Sequence, residues 1–271
     1  QRQGDYKNAL KNYEAYLELV PGDQLATNGR LGCLQAPMWK KKPTLYTIKK
    51  EPVLNGRRSD YSPALFGDEW DQLYITTTRP QIESGEISGI TGIKSADIWV
   101  SKKDEKGKWE QPTSVEGGLN SEYEEGACCF SPDGRTMYLT RCTFDAEYPR
   151  YAEIYTSTRS DASWSTPQRL QISKDTLSSY AHPAVSPDGK WLYFVSDMPG
   201  GMGGLDIFKA VCDSTGQWKV ENLKYPMNSN GDDFGMTFEG LHNRGFFSTS
   251  RGDARGWDHI MSFECPEVLQ T

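Results

Sequence analysis

The residues from Ser186 to Phe208, SPDGKWLYFVSDMPGGMGGLDIF, decide the fold of this chain. Their first half recurs as SPDGRTMYLT from Ser131, with looser versions at Ser62 to Ile75 and Thr237 to Phe247. In the Pro-Asp-Gly turn, proline presets φ and glycine supplies the positive φ that the return of the chain requires. Aromatic and β-branched residues follow the turn, as expected for a strand. The stretch therefore predicts a recurring hairpin, with turn positions at Asp133, Gly134, Asp188 and Gly189.

Two further markers repeat in the same register. An acidic residue is closely followed by isoleucine at Asp97, Glu153, Asp206 and Asp258, and a tryptophan follows the first three of these pairs. The steps are about 50 to 56 residues, which is the sequence signature of tandem structural units. Four antiparallel strands per unit, repeated around an axis, form a β-propeller. We therefore predict a mainly β fold with four blades, a fifth blade being the alternative, and expect Leu45 to Leu54 to pair with the final unit and close the ring.

The glycine cluster in SDMPGGMGGLDIF permits two interpretations. A phosphate-binding loop needs a strand, the glycines and then a helix whose N-terminus faces the anion, whereas here another strand follows. The corresponding loops of the other units lack the glycine pattern. We therefore predict a compact turn between the second and third strands, in which Asp206 accepts hydrogen bonds from backbone N–H groups.

The first part of the chain is helical. Apolar residues between Tyr6 and Val20 have the three-and-four spacing of an amphipathic helix, which Pro21 and Gly22 end. This helix is similar to the second half of a tetratricopeptide repeat of about 34 residues. We predict a half-repeat and a capping helix over residues 1–36, a linker over residues 37–43 and the propeller over residues 44–271.

Composition excludes some partners and leaves others open. The net charge of −7 and the pI near 5.2 argue against a nucleic-acid-binding surface, and no apolar run approaches the ~20 residues of a membrane span. The six cysteines lack metal-site spacing. Free thiols are expected, with a bond from Cys128 or Cys129 to Cys142 as the alternative.

The motifs SPDGRTMYLT, SPDGKWLYFVSDMPGGMGGLDIF and GFFSTSRGDARGWDHI resemble the WD-like, TolB-type propeller repeats of multidomain outer-membrane proteins from Bacteroidetes-type bacteria. The resemblance extends from Gly4 to Phe263. In that family a tetratricopeptide segment precedes the propeller, and an OmpA-like peptidoglycan-binding domain follows it. The resemblance implies a non-enzymatic component of the type IX secretion system, located in the periplasm and associated with the outer membrane. It also implies that peptidoglycan is bound only through a domain that this chain does not contain.

The residues themselves indicate no catalytic group, metal site or cofactor. The sequence lacks a GxSxG nucleophile elbow, and the three histidines share no metal-ligand spacing. Polar residues before each predicted first strand form a candidate ring at the mouth of the channel, which would hold a cation or a basic partner segment, unless they are solvated loop residues that cap local turns. These residues are Asp60, Glu124, Glu125, His182, Asp232 and Asp233.

Two functions from different classes follow. The favoured one is an interaction scaffold that binds protein partners in the cell envelope through propeller loops, with the helical repeat as a second docking groove. The candidate contact residues are Ile82, Ile87, Ile90, Phe144, Tyr148 and Tyr151. The alternative is a glycan- or peptidoglycan-active enzyme that uses carboxylates at the channel mouth as acid and base. It predicts a pair of carboxylates, one of them with a raised pKa.

Overall fold

The computed structural model describes residues 1–66, 69–79, 97–114, 128–142, 152–160, 163–253 and 255–266. It is a four-bladed β-propeller with two helices at the N-terminus, which confirms the predicted fold class. The helices are α1 (Tyr6–Leu19) and α2 (Gln24–Lys41).

Each blade is an antiparallel sheet. Blade 1 contains β2 (Asp60–Phe66), β3 (Gln72–Thr77), β4 (Asp97–Lys102) and β5 (Thr113–Ser114). Blade 2 contains β6 (Cys128–Phe130), β7 (Thr136–Cys142), β8 (Ala152–Ser160), β9 (Ser163–Trp164) and β10 (Gln168–Arg169). Blade 3 contains β11 (Tyr180–Val185), β12 (Leu192–Ser196), β13 (Asp206–Cys212) and β14 (Trp218–Asn222). Blade 4 contains β15 (Asp233–Phe238), β16 (Arg244–Thr249), β17 (His259–Glu264) and, from the start of the propeller, β1 (Thr47–Lys50).

The ring is closed by β1. This strand pairs antiparallel with β17, from Thr47 opposite Glu264 to Lys50 opposite Met261, and so forms the outer edge of blade 4. The predicted pairing of residues 45–54 with the final unit is therefore confirmed, although the segment supplies one strand of the blade. Pairing of the first propeller strand with the last blade protects an edge that would otherwise remain exposed.

The first strands lie around the central axis, where β6 contacts β11, β11 contacts β15 and β15 contacts β2. Three of these strands carry a bulge at the same position, occupied by Ser62, His182 and Gly235, each with a positive φ between 48° and 64°. The N–H of Ser62 donates to the Ser248 hydroxyl of the preceding blade at 2.9 Å, and the N–H of His182 donates to Thr140 at 3.0 Å. The bulges therefore join neighbouring blades by hydrogen bonds at the channel.

The hydrophobic core lies between blades. Ile207 and Phe247 belong to a cluster between blades 3 and 4, and Ile154 and Phe194 to a cluster between blades 2 and 3. Leu54, which has no exposed surface, packs with Leu73 and Ile260 between blades 4 and 1. Removal of this apolar surface from water is the main stabilisation of the ring.

The predicted turns are confirmed in blades 2 and 3. The Ser131 hydroxyl donates to Asp133 at 2.5 Å and the Ser186 hydroxyl donates to Asp188 at 2.5 Å, while Gly134 and Gly189 have positive φ. Each aspartate also accepts a backbone N–H two residues later. These repeat positions are therefore structural.

The helix α1 is confirmed, but the linker predicted at residues 37–43 is wrong for most of its length. Helix α2 continues to Lys41 through Pro37. Proline removes one helical hydrogen bond, yet Ala36 is fully buried and Trp39 packs against the same cluster, so tertiary packing holds the last turns in helical form. Lysines at the C-terminal end also interact favourably with the helix dipole.

Neither helix is both long and apolar enough to cross a membrane, among the residues that the structure describes.

Cys33 and Cys265 are buried free thiols, and Cys128 and Cys129 are free as well.

Candidate functional site

The two helices dock on the glycine cluster of blade 3, here called the Gly-loop (residues 197–205). Tyr6, Cys33 and Ala36 form one buried cluster with Met202 of this loop. A Cβ atom at Gly32 would collide with the carbonyl oxygen of Gly201, so the helix and the loop require the absence of a side chain there. The helices and blade 3 therefore form one continuous surface.

The Gly-loop is shaped from inside by Asp206. Its carboxylate is fully buried and accepts the N–H of Met202 and, at 3.2 Å, the side-chain amide of Asn222. Burial, together with the nearby charge of Asp233, raises the pKa of Asp206 well above its usual range. The predicted role of Asp206 in a turn is thus confirmed. Because Met202 is itself completely buried, the loop is a packing element of the helix junction.

Two of the predicted ring residues, Asp60 and Asp233, are held by arginines. Asp233 is fully buried and accepts from Arg251 Nη2 at 2.6 Å, and Asp60 is fully buried and accepts from Arg79 Nε at 3.0 Å. These residues begin β15 and β2, and the arginines follow β16 and β3. Each pair therefore ties the start of the first strand to the end of the second.

Each arginine also donates a hydrogen bond to the segment that precedes the first strand of its blade. Arg251 Nη2 donates to the Met227 carbonyl and Arg79 Nη2 to the Leu54 carbonyl, both at 2.5 Å. Because both carboxylates already have cationic and hydrogen-bonding partners, they are structural latches, with no free charge for a cation in the channel. Neither arginine was among the predicted site residues, although the Thr-x-Arg pattern of Thr77 to Arg79 recurs at Thr249 to Arg251.

His182 lies apart from the two latches, at the bulge of β11. Its ring packs edge-on against Phe234, with 5.4 Å between the ring centres. Burial lowers the pKa of His182 to about 4, so the imidazole is neutral at neutral pH. Its Nδ1 is buried and has no hydrogen-bond partner among the described residues.

Asp232, unlike the fully buried Asp60 and Asp233, is partly exposed. Its side chain is 27% exposed, lies 3.5 Å from Arg2 and accepts the N–H of Leu205 at 2.8 Å. Burial and then the negative charge of Asp232 raise the pKa of Asp258 to about 6. The structure thus brings Asp232 near an aspartate that the sequence analysis assigned only to the repeat.

The other repeat positions are structural where their side chains are described. Glu153 lies 2.8 Å from Arg169, an ion pair within blade 2, and Asp97 begins β4 opposite Thr77. Several predicted site residues lie outside the described part of the chain. They are Glu124, Glu125, Ile82, Ile87, Ile90, Phe144, Tyr148 and Tyr151. Within the described part, no group of three or more His, Cys, Asp or Glu side chains is arranged to hold a metal ion.

In the part of the chain that the structure describes, exposed apolar side chains concentrate on the two helices. Leu19 is 82% exposed, Met38 67% and Leu25 54%. Tyr16 and Leu25 line a groove of about 550 Å³ between the helices. The remaining exposed large apolar side chains on the helices are Val20, Leu31 and Leu34.

No protein-family model matches this chain, and no curated protein is similar to it. Among solved structures it is similar to a GH62 α-L-arabinofuranosidase from Coprinopsis cinerea, at 10% identity and a TM-score of 0.34, over 81% of this chain and 96% of that one. It is also similar to a prolyl endopeptidase, at 14% identity and a TM-score of 0.33, over 74% of this chain and 25% of that one. The chain spans about a quarter of the length of the first such structures. Likeness at this level carries no argument about this chain.

Proposed function

We propose that this chain is a non-enzymatic interaction module that binds protein partners in the cell envelope. The observation that carries the proposal is the concentration of exposed apolar side chains on α1 and α2, in a chain whose blades bury most of theirs. Contiguous exposed apolar surface marks interaction sites in soluble proteins. The Gly-loop fixes these helices on blade 3, so a partner meets a rigid surface that needs little ordering on binding.

The pairing of carboxylates with arginines at the channel mouth supports a binding role over a catalytic one. Asp60 and Asp233 are engaged by Arg79 and Arg251, so neither is available as an acid or a base. A general acid–base group must reach the proton that it transfers. The propeller loops that carry the predicted contact residues belong to the same proposal, as a second face for partners.

The proposed compartment and the proposed link to the type IX secretion system rest on the resemblance of the repeat motifs. In these motifs the chain resembles PorE, a periplasmic component of the type IX secretion system. We therefore propose a periplasmic location associated with the outer membrane, and secretion-system proteins as the partners. The two helices and the propeller would act together as a scaffold for these proteins.

The proposal is tested by affinity capture from a bacterial envelope extract, followed by mass spectrometry. One variant replaces four exposed residues of the helices, Leu19, Leu25, Leu34 and Met38, with glutamine. A matched control replaces three exposed residues of the blades, Phe66, Phe130 and Leu241, with glutamine. We expect secretion-system proteins to be captured by the wild type and the control and lost with the helix variant. Equal capture by all three proteins, or no specific capture at all, would contradict the proposal.

A second candidate, a glycan-active enzyme, is favoured by one observation. Burial and the nearby negative charge of Asp232 raise the pKa of Asp258 to about 6, and acid–base hydrolysis of glycosides uses a carboxylic acid with a raised pKa near a second carboxylate. The test is release of reducing ends from peptidoglycan and oligosaccharides by the wild type, Asp258→Asn and Asp232→Asn. Activity that both variants lose would support the enzyme, and absence of turnover by the wild type would exclude it for these substrates.

A further inference from the structure

The outer face of α2 is an apolar stripe. Leu31, Leu34 and Met38 are 36%, 44% and 67% exposed, and their spacing of three and four residues places them on one side of the helix. The opposite side is buried, through Ala26, Gly32, Cys33 and Ala36. Helix α2 therefore has two apolar faces. One packs inside the molecule, and the other is exposed to solvent.

The charges on α2 have one sign. Its sequence, QLATNGRLGCLQAPMWKK, contains Arg30, Lys40 and Lys41 and has no acidic residue. Arg30 and Lys41 lie four residues before and seven after Leu34, so all three share nearly one line of the helix surface, along one edge of the stripe. The whole chain has a net charge of −7, so this local basic character runs against its average. A partner that complements this face must supply apolar side chains and negative charges together.

We propose that the outer face of α2 binds an amphipathic α-helix of a partner protein, whose apolar stripe is flanked by Asp and Glu residues. The inference rests on the proposed function and specifies its partner. A helix fits because the three apolar side chains form a ridge that a second helix accommodates in the groove between its own side chains. The acidic flanks would face Arg30 and Lys41.

A protein helix is favoured over an anionic lipid surface by the surrounding charge. A lipid bilayer presents an extended plane, and the exposed Glu14 and Glu18 of the neighbouring α1 would be repelled by it, as would a chain of net charge −7. A helix touches only the stripe and its flanks. The face is therefore matched to a narrow, acidic ligand.

The test uses the full chain and two synthetic peptides of the length of α2, 18 residues. Both peptides have the same apolar stripe, flanked by glutamate in one and by lysine in the other. We expect the acidic peptide to bind about tenfold more tightly than its basic twin in fluorescence anisotropy, because favourable and unfavourable charge contacts act together at two positions. The preference should shrink at about 0.5 M salt, where exposed charges are screened.

Two variants assign the binding to this face. Leu34→Glu with Met38→Glu should abolish binding of the acidic peptide, and Arg30→Glu with Lys41→Glu should reverse the preference toward the basic peptide. Phe66→Glu with Leu241→Glu is the matched control, since both residues are exposed on the blades, away from the stripe, and it should bind as the wild type does. Circular dichroism establishes that each variant is folded.

Four results would overturn the inference, and the first three concern the peptides and vesicles. They are equal binding of the two peptides, binding that the Leu34 and Met38 replacements leave intact, and binding to vesicles of phosphatidylglycerol and phosphatidylethanolamine without binding to either peptide. Concentration-dependent self-association that the same replacements remove would also overturn it, in favour of a second copy of this chain. If the acidic peptide fails while envelope proteins are still captured through the helices, the proposed function stands and only this partner assignment falls.

Discussion

Removal of the guanidinium that holds Asp233 is predicted to be among the most damaging single changes on the molecule. Asp233 has no exposed surface, and Arg251 is the cation that compensates its charge. The Arg251→Met variant keeps most of the aliphatic stem but leaves the carboxylate to its neutral donors, Ser229 at 2.6 Å and Thr249 at 2.6 Å. It also leaves the carbonyls of Pro226 and Met227 without this donor. Breaking one side of a buried ion pair costs about 3–5 kcal/mol of unfolding free energy, and we expect a loss in that range.

The assay is urea-induced unfolding followed by tryptophan fluorescence, with two matched variants. The double variant Arg251→Met with Asp233→Asn should recover much of the loss, because it removes the uncompensated charge as well as its partner. Arg255→Met removes the partner of Asp253 at an ion pair whose arginine is 59% exposed, and should leave the unfolding free energy nearly unchanged, because solvent screens exposed pairs. A loss below about 1 kcal/mol for Arg251→Met, or a double variant no more stable than the single one, would refute the description of this pair as a structural latch.

Three further predictions concern the core, the helix junction and the channel. Leu54→Ala should lower the unfolding free energy by about 2–5 kcal/mol in the same assay, because Leu54 is fully buried between blades, whereas the same change at the exposed Leu241 should have little effect. Gly32→Val should loosen the helices from the Gly-loop, since its Cβ would meet the Gly201 carbonyl, and limited proteolysis should then cut α2 while the blades stay protected. His182 has its pKa lowered from 6.5 to about 4, so the unfolded chain takes up a proton before the folded one does, and stability should fall by up to about 3 kcal/mol as the pH drops through this window. His182→Asn should remove that part of the pH dependence, and an unchanged pH profile would contradict the buried, neutral imidazole.

Much of the propeller could be predicted because its signals are local. The Pro-Asp-Gly turns at residues 131–134 and 186–189 depend on φ preferences of individual residues, and the repeat of three markers in one register requires a repeating structure. Pairing of residues 45–54 with the final unit also followed from the sequence, because this segment resembles the last two strands of a repeat unit; in the structure it supplies one strand, β1. The sequence left a fifth blade open, and the structure has four.

The features that were missed depend on contacts between distant segments. Pro37 has a strong local tendency to end a helix, but the packing of Ala36 and Trp39 against the propeller outweighs it. The glycines of the Gly-loop were interpreted as a turn, and their second role appears only when Gly32 of α2 is brought against Gly201. Likewise, nothing in the sequence alone showed that Asp60 and Asp233 are neutralised by arginines that lie about 20 residues further along the chain.

The candidate site was predictable only in part for the same reason. Acidic residues before each first strand are visible in the sequence, but their availability depends on burial. Asp232 remains accessible at 27% exposure, while Asp233, the next residue, is fully enclosed. The basic and apolar outer face of α2 was not anticipated, because its last turns had been assigned to a linker.

Site-specific photo-crosslinking in a bacterial envelope extract tests the central claim most directly. A photoreactive phenylalanine analogue is placed at position 34, on the outer face of α2, and in a second sample at position 241, an exposed leucine position on blade 4. The account predicts crosslinks to secretion-system proteins from position 34 and few from position 241. Equal crosslinking from both positions, or none from position 34, would contradict an interaction module that works through its helices.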